Sequence, residues 1–232
     1  MRLALFDLDH TLLPIDSADT WSHFLVRAAG LDEAHYGARI REFARTYKAG
    51  CFDVEAYLAF QMGLLAQFPR RRLETWRAEF FRAHVEPALR PEALALVERH
   101  RAAGDVLALV TGTHQFVTRP VALAFGIEHL LAVRPEEDAY GEFTGRYSGT
   151  HTYLEGKVRA VDEFLAARGE RWDGLESLVF YSDSINDLPL LERVAAAGGR
   201  AVATHPDAQL RAQAQRRGWQ LLELFELVPS HA

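Results

Sequence analysis

The sequence predicts an α/β fold in three layers: a mostly parallel sheet flanked by helices, with a helical bundle inserted after its first strand. Three observations predict it. Short apolar runs at 3–6, 106–110 and 178–181 are too brief for helices and read as buried strands. From residue 90 onward such runs alternate with helical patterns, the rhythm of strand–helix–strand units. Between about 15 and 87 no strand interrupts four successive helical periodicities.

The first strand, Leu3-Ala4-Leu5-Phe6, runs into Asp7-Leu8-Asp9-His10-Thr11. Side chains two apart on an extended strand point the same way. Asp7 and Asp9 therefore address one small volume, and Thr11 continues that face. Carboxylates at the exit of a buried strand need a partner, and Mg2+, which prefers oxygen ligands, is the usual one. Pro14 ends the strand, and Asp16 or Ser17 caps the next helix. Trp21, Phe24, Leu25 and Ala28 share a helical face that stops at Gly30; Tyr36, Ile40, Phe43 and Tyr47 share one that stops at Gly50. Asp53 caps a third helix over 54–68, apolar nearly all round. Pro69 opens a fourth, on which Leu73, Trp76, Phe80 and Phe81 recur. Four such helices with short links make a compact bundle of about seventy residues.

The helix predicted at 91–103 stops at Gly104. The strand at 106–110 runs straight into Thr111-Gly112-Thr113. A helix over 114–125 carries Pro120, which predicts a kink or a break. A short strand at 130–133 follows, and Asp138-Ala139-Tyr140-Gly141 turns a small hairpin. The helix at 155–168 puts Val158, Val161, Phe164 and Leu165 inward and carries Lys157 in its first turn, against the helix macrodipole. That lysine is either an ordinary surface residue or one placed for another purpose. The strand at 178–181 ends in Ser182-Asp183-Ser184-Ile185-Asn186-Asp187. A helix, a strand at 201–203, a helix over 207–217 and an edge strand at 219–222 complete the pattern.

Composition excludes several classes. Of the 232 residues 49% are hydrophobic, enough for a substantial core. A formal charge of -6 disfavours generic nucleic-acid binding, which needs a basic face. The single cysteine, Cys51, forms no internal disulfide and fits a reducing, cytoplasmic setting. Four apolar residues before Asp7 are too few for a signal peptide, and no apolar run reaches the ~18 residues of a membrane span. The apolar stretch before Arg70-Arg71-Arg72 admits a membrane-surface reading. A helix apolar all round is normally core, so no stable membrane association is expected. Arg39, Arg41 and Arg45 either reach an anionic substrate or form a solvated face.

Ligands of parallel sheets bind beyond the carboxyl ends of the strands. Three strands end there in polar clusters: Asp7/Asp9/Thr11, Thr111/Gly112/Thr113 and Asp183/Asn186/Asp187. Each alone reads as a cap or turn; their convergence reads as a site. Asp7 and Asp183 suit a magnesium ion. The Thr111 hydroxyl, the backbone N–H groups around Gly112 and Lys157 suit a phosphoryl group. A remaining carboxylate suits a nucleophile and another a proton carrier.

Phe6-Asp7-Leu8-Asp9-His10-Thr11-Leu12, Val110-Thr111-Gly112, Gly156-Lys157 and Ser182-Asp183-Ser184-Ile185-Asn186-Asp187 resemble, in order, the four motifs of the haloacid dehalogenase superfamily. The helical stretch between the first two resembles a C1-type cap. The resemblance implies a Rossmann-like core at 1–14 and 88–232, a cap at 15–87, and a Mg2+-dependent phosphatase acting on a small phosphorylated metabolite. It implies Asp7 as nucleophile and Asp9 as acid and base. Metal ligands are Asp7, Asp183 and the Asp9 carbonyl, supported by Asp187 and Asn186. Thr111, Gly112 and Lys157 hold phosphate. The pattern is nearest the phosphoserine-phosphatase-like branch (subfamily IB), whose members carry a glutamate nine residues after the nucleophile and a Ser-Gly-Gly second motif. Here these are Asp16 and Thr-Gly-Thr. The implied substrate is an amino-alcohol phosphate such as histidinol phosphate, phosphoserine or phosphoethanolamine, with Asp16 either touching it or capping a helix. A phosphotransferase or mutase using the same intermediate, and a noncatalytic phosphate-binding module, are the alternatives.

Overall fold

The computed structural model describes residues 1–226; 227–232, assigned above to the core, lie outside the described residues. Six parallel strands form one sheet: β1 (Arg2–Phe6), β2 (Val106–Thr111), β3 (His129–Ala132), β6 (Ser177–Ser182), β7 (Arg200–Thr204) and β8 (Gln220–Leu222). Their order is β3-β2-β1-β6-β7-β8. β1 lies between β2 and β6, with Leu3 opposite Val106 and Phe6 opposite Tyr181. The chain order reverses across β1, which opens a crevice at the carboxyl ends of β1, β2 and β6.

Alternation along β1 divides the core. Leu3 and Leu5 face α7 (Glu155–Ala166), α8 (Leu188–Ala196) and α9 (Ala208–Arg217), joining Val161, Leu191 and Leu210. Ala4 and Phe6 face the other way, toward α5 (Pro91–Ala102) and α6 (Gln115–Ala124). The third layer continues into the insert: α1 (Ser17–Ala28), α2 (Glu33–Lys48), α3 (Val54–Leu65) and α4 (Arg70–Phe80). Asp16, Asp32 and Asp53 cap the first three through their side chains, satisfying N–H groups that have no partner within the helix. The insert does not keep a separate core. Trp21, Met62 and Phe80 belong to the same apolar cluster as Phe6 and Phe116.

Local differences from the sequence reading have physical causes. The third insert helix ends at Leu65 rather than 68, and its apolar character is spent on burial of Leu58, Met62, Leu64 and Leu65. Arg70 is equally committed: it pairs with Glu74 and Glu137 and lies over the Phe143 ring. Among the described residues no helix is long and apolar enough to cross a membrane. The hairpin predicted around 138–141 forms, from β4 (Arg134–Glu137) and β5 (Phe143–Ser148), and packs against α3. Glu142, beside it, accepts the Arg70 N–H at 2.6 Å, replacing the side-chain cap that Pro69 cannot supply.

Pro120 does not break its helix; α6 runs through it. A proline removes the N–H that would bond the carbonyl four residues back. That carbonyl belongs to Phe116, and Arg77 of α4 donates to it at 3.0 Å. The Arg77 guanidinium also lies 4.4 Å from the centre of the Phe116 ring. The freed acceptor thus becomes a joint between insert and core.

His114, just before α6, is 3% exposed, and neither ring nitrogen has a hydrogen-bond partner. Burial pushes its imidazole down to about 3, so the folded chain holds it neutral. The unfolded chain takes up the proton below about pH 6.5. The stability this residue contributes is present above that pH and declines as pH falls toward 3. His114→Leu, which removes the titration, is expected to gain about 2 kcal/mol on the wild type between pH 7 and pH 5. Urea unfolding at both pH values measures the gap, and an unchanged gap contradicts the assignment.

Candidate active site

The carboxyl ends of β1, β2 and β6 and the first turn of α7 meet in a cleft lined by Asp7, Asp9, Thr111, Gly112, Lys157 and Asp183, with Asn186 and Asp187 beside them. At its centre Lys157, 5% exposed, donates to Asp7 Oδ1 at 2.6 Å and to Asp187 Oδ2 at 2.7 Å. Ser182 Oγ donates to the same Asp187 oxygen at 2.7 Å. Burial works against the Lys157 charge, but Asp187 and Asp7 outweigh it and hold the ammonium above the usual lysine range. Burial lifts the Asp187 carboxyl to about 6, with Lys157 opposing the rise, so it remains ionised at neutral pH.

The lysine is delivered by an unusual turn. Leu154 has φ +49° and ψ -127°, a region costly for a residue with a Cβ. Gly156 lies against His151, whose carbonyl oxygen would stand 2.2 Å from a Cβ there. Thr152 Oγ1 ties the turn to the Thr111 carbonyl at 2.6 Å. A side chain at 156 would lift the first turn of α7 and withdraw Lys157 from the carboxylates.

Thr11 Oγ1 stands 3.3 Å from Asp7 Oδ2 and 3.2 Å from Asp183 Oδ1. One hydroxyl has one proton, so it serves only one carboxylate at a time. Burial, reinforced by Asp7 and Asp187, raises the Asp183 carboxyl well above its ordinary range. Three carboxylates, Asp7, Asp183 and Asp187, thus crowd together while the one ammonium bonds only Asp7 and Asp187, and the donor chemistry suits a hard divalent cation. Among the described residues no group of three or more His, Cys, Asp or Glu side chains is arranged to hold a metal ion.

Asp9 is held from two sides. Its Oδ1 accepts the Ser17 N–H at 2.8 Å, and its Oδ2 accepts from Thr113 Oγ1 at 2.9 Å. Ser17 opens α1, so the carboxyl touches the first turn of the insert. Burial pushes the Asp9 carboxyl up to about 8, with Asp16 and Asp7 adding to the rise. Asp16 both caps α1, accepting the Asp19 N–H at 2.8 Å, and lines the cleft. The two roles considered for it are compatible in space.

Arg45 does not join the cleft lining. It is exposed and paired with Glu42 one turn away at 2.8 Å, and Arg39 lies over the Phe43 ring. Both belong to an outer face of α2. Sequence reasoning had Ser17 only as a cap and Thr113 only as part of a polar cluster, without their bonds to Asp9, and it missed three tyrosines of the cleft. Tyr47 and Tyr57 of the insert and Tyr153 of the turn before α7 line the cleft with Phe43, Phe52 and Phe60. Burial raises all three phenols above their ordinary range. Thr113 adjoined a motif already singled out. The helical tyrosines carried only the periodicity of core residues.

The sequence profile of haloacid dehalogenase-like hydrolases matches residues 4–192. A histidinol-phosphatase of Neisseria meningitidis serogroup C (strain 8013) is 37% identical over 95% of this chain and 98% of that protein. A Bordetella pertussis Tohama I protein of unknown function has a crystal structure at TM-score 0.89 and 45% identity, covering 97% of this chain and 99% of that one. A phosphoserine phosphatase caught as an analogue of its phospho-aspartyl intermediate shares the fold at TM-score 0.67, with 18% identity over 97% of this chain and 95% of that one. With its four motifs drawn into one crevice, the chain belongs to the haloacid dehalogenase-like hydrolases, grouped with that family's phosphatases.

Proposed function

We propose that this protein is a Mg2+-dependent phosphatase that hydrolyses a small amino-alcohol phosphate in two steps. The observation that carries the reading is the buried Asp7 carboxylate. One oxygen is held by Lys157, the other contacts the Thr11 hydroxyl, and the group faces the cleft. Such a carboxylate is oriented for attack and relieved of charge repulsion toward an incoming anion.

In the first step an Asp7 oxygen attacks phosphorus and the ester P–O bond breaks, leaving an aspartyl-phosphate. Asp9 gives its proton to the departing oxygen; its raised pKa keeps that proton available near neutrality. In the second step Asp9 takes a proton from water, the water oxygen attacks phosphorus, and the Asp7 carboxylate is restored with release of phosphate. The Thr111 hydroxyl, the Gly112 N–H and the Lys157 ammonium hold the phosphoryl oxygens. Asp7, Asp183 and the main-chain carbonyl of Asp9 hold Mg2+, while Asp187 and Asn186 keep that group in place. The bound ion supplies positive charge against the phosphoryl oxygens.

The helices at 15–87 act as a cap over the core of 1–14 and 88–232, excluding water and selecting the leaving group. An aromatic chamber with a carboxylate, Asp16, suits a small amine carrying a flat group, through ion pairing and cation–π contact. The histidinol-phosphatase relative supports histidinol phosphate as the member of this class to test first.

Two outcomes are expected. Asp7→Asn is expected to lower phosphate release from histidinol phosphate by at least 1,000-fold, on the order of 4 kcal/mol of barrier, with unchanged circular dichroism; activity near wild type refutes the nucleophile. Removal of divalent cations with EDTA is expected to abolish turnover and Mg2+ to restore it, read by release of inorganic phosphate. Full turnover in the chelated protein refutes the metal assignment.

A further inference from the structure

The chamber wall nearest the phosphoryl loop belongs to the core rather than the insert. Tyr153 sits in the strained turn that also delivers Lys157 and is fixed on both flanks. Its neighbour Thr152 is bonded to the Thr111 carbonyl, and its own carbonyl accepts the Gly156 N–H at 2.7 Å. Its ring covers Gly112 so closely that a Cβ there would stand 2.7 Å from Cε1 and Cζ. On its other side it meets the insert, 5.7 Å from the Phe52 ring and 5.9 Å from the Tyr57 ring between centroids.

From this placement, and resting on the phosphatase reading above, we infer that Tyr153 is a specificity-determining residue that selects phosphate esters carrying a flat group beyond the ester carbon. The geometry works through adjacency. A phosphoryl group held at Thr111 and Gly112 lies beside the Tyr153 ring, so the first atoms of the leaving group must cross its surface. An unbranched ester carbon can cross, and a flat group further along stacks among Tyr153, Tyr57 and Phe52. A substrate lacking the flat group forgoes that contact. Aromatic contacts of this kind contribute about two- to tenfold in binding beyond area burial, so the effect should be graded rather than absolute. Because the turn is tied to the phosphoryl loop through Thr152 and Thr111, the selecting face is positioned by the core as well as by the insert.

The test compares histidinol phosphate with phosphoethanolamine, which has the amine but no ring, in the wild type, Tyr153→Phe and Tyr153→Leu. Wild type should prefer histidinol phosphate in kcat/KM. Tyr153→Phe should keep that ratio within twofold, and Tyr153→Leu should lower it about fivefold, mainly through the KM for histidinol phosphate. Equal losses for both substrates in Tyr153→Leu, or no wild-type preference, overturn the inference. Calorimetric titration of both esters into Asp7→Asn, with and without Tyr153→Leu, separates this from the catalytic reading. Absence of turnover in the wild type, together with about a fivefold selective loss of histidinol phosphate affinity on adding Tyr153→Leu, refutes the phosphatase and sustains the selecting role. Equal weakening of both ligands, or binding of neither, refutes the selecting role.

Discussion

Everything in the cleft depends on one buried ammonium. Lys157 is enclosed in protein and could not stay charged there without the two carboxylates it bonds. Asp7 comes from the exit of β1, Asp187 from the turn after β6 and the lysine from the start of α7. These segments meet because β1 and β6 are neighbours in a parallel sheet and α7 packs across them. The ion pairs in turn fix the direction of the Asp7 carboxylate. Gly156 and the strained Leu154 backbone are the local cost of bringing the ammonium in at the correct height.

The insert is bound to this framework by polar contacts more specific than apolar packing. Pro120 frees the Phe116 carbonyl, and Arg77 takes it. Glu142 closes the start of α4 from the hairpin, and Tyr147 of the same hairpin donates to Glu55 of α3 at 3.0 Å. Ser17 at the start of α1 holds Asp9. The contact between Ser17 and Asp9 gives the insert a direct hold on a carboxyl of the cleft, so the position of α1 and the orientation of Asp9 are linked. The hairpin packs on α3 and meets the start of α4 at Arg70, whose guanidinium lies over the Phe143 ring.

The aromatic and acidic halves of the cleft have complementary work in the proposed reaction. Carboxylates and lysine manage the charge of the phosphoryl group, while the rings of the insert and Tyr153 exclude water and accommodate the leaving group. Gly112 belongs to both halves. In the proposed reaction its N–H would hold a phosphoryl oxygen, and its lack of a side chain lets Tyr153 lie directly on the loop. Replacing any one half would leave the other with a substrate it could not hold.

The sequence by itself determined the layered α/β class, the four insert helices and the polar clusters at the strand ends. Those features are local: strand length, helical period and side-chain chemistry are set by residues within a turn or two of one another. It also marked Asp7, Asp9, Thr111, Asp183 and Asp187, because carboxylates and hydroxyls at the ends of apolar runs stand out against their surroundings. Local pattern showed Lys157 only as a charge misplaced against a helix dipole, its part in the site coming from the family resemblance, and Arg45 could not be told apart from a substrate ligand. Tertiary structure decided these, since burial of one and exposure of the other follow from how α7 and α2 pack. It alone placed Ser17 on Asp9, turned Pro120 from a breaker into a joint and gathered Tyr47, Tyr57 and Tyr153 around one cleft. Each of these contacts joins separate elements, and which elements meet depends on strand order and helix direction, which no local pattern encodes.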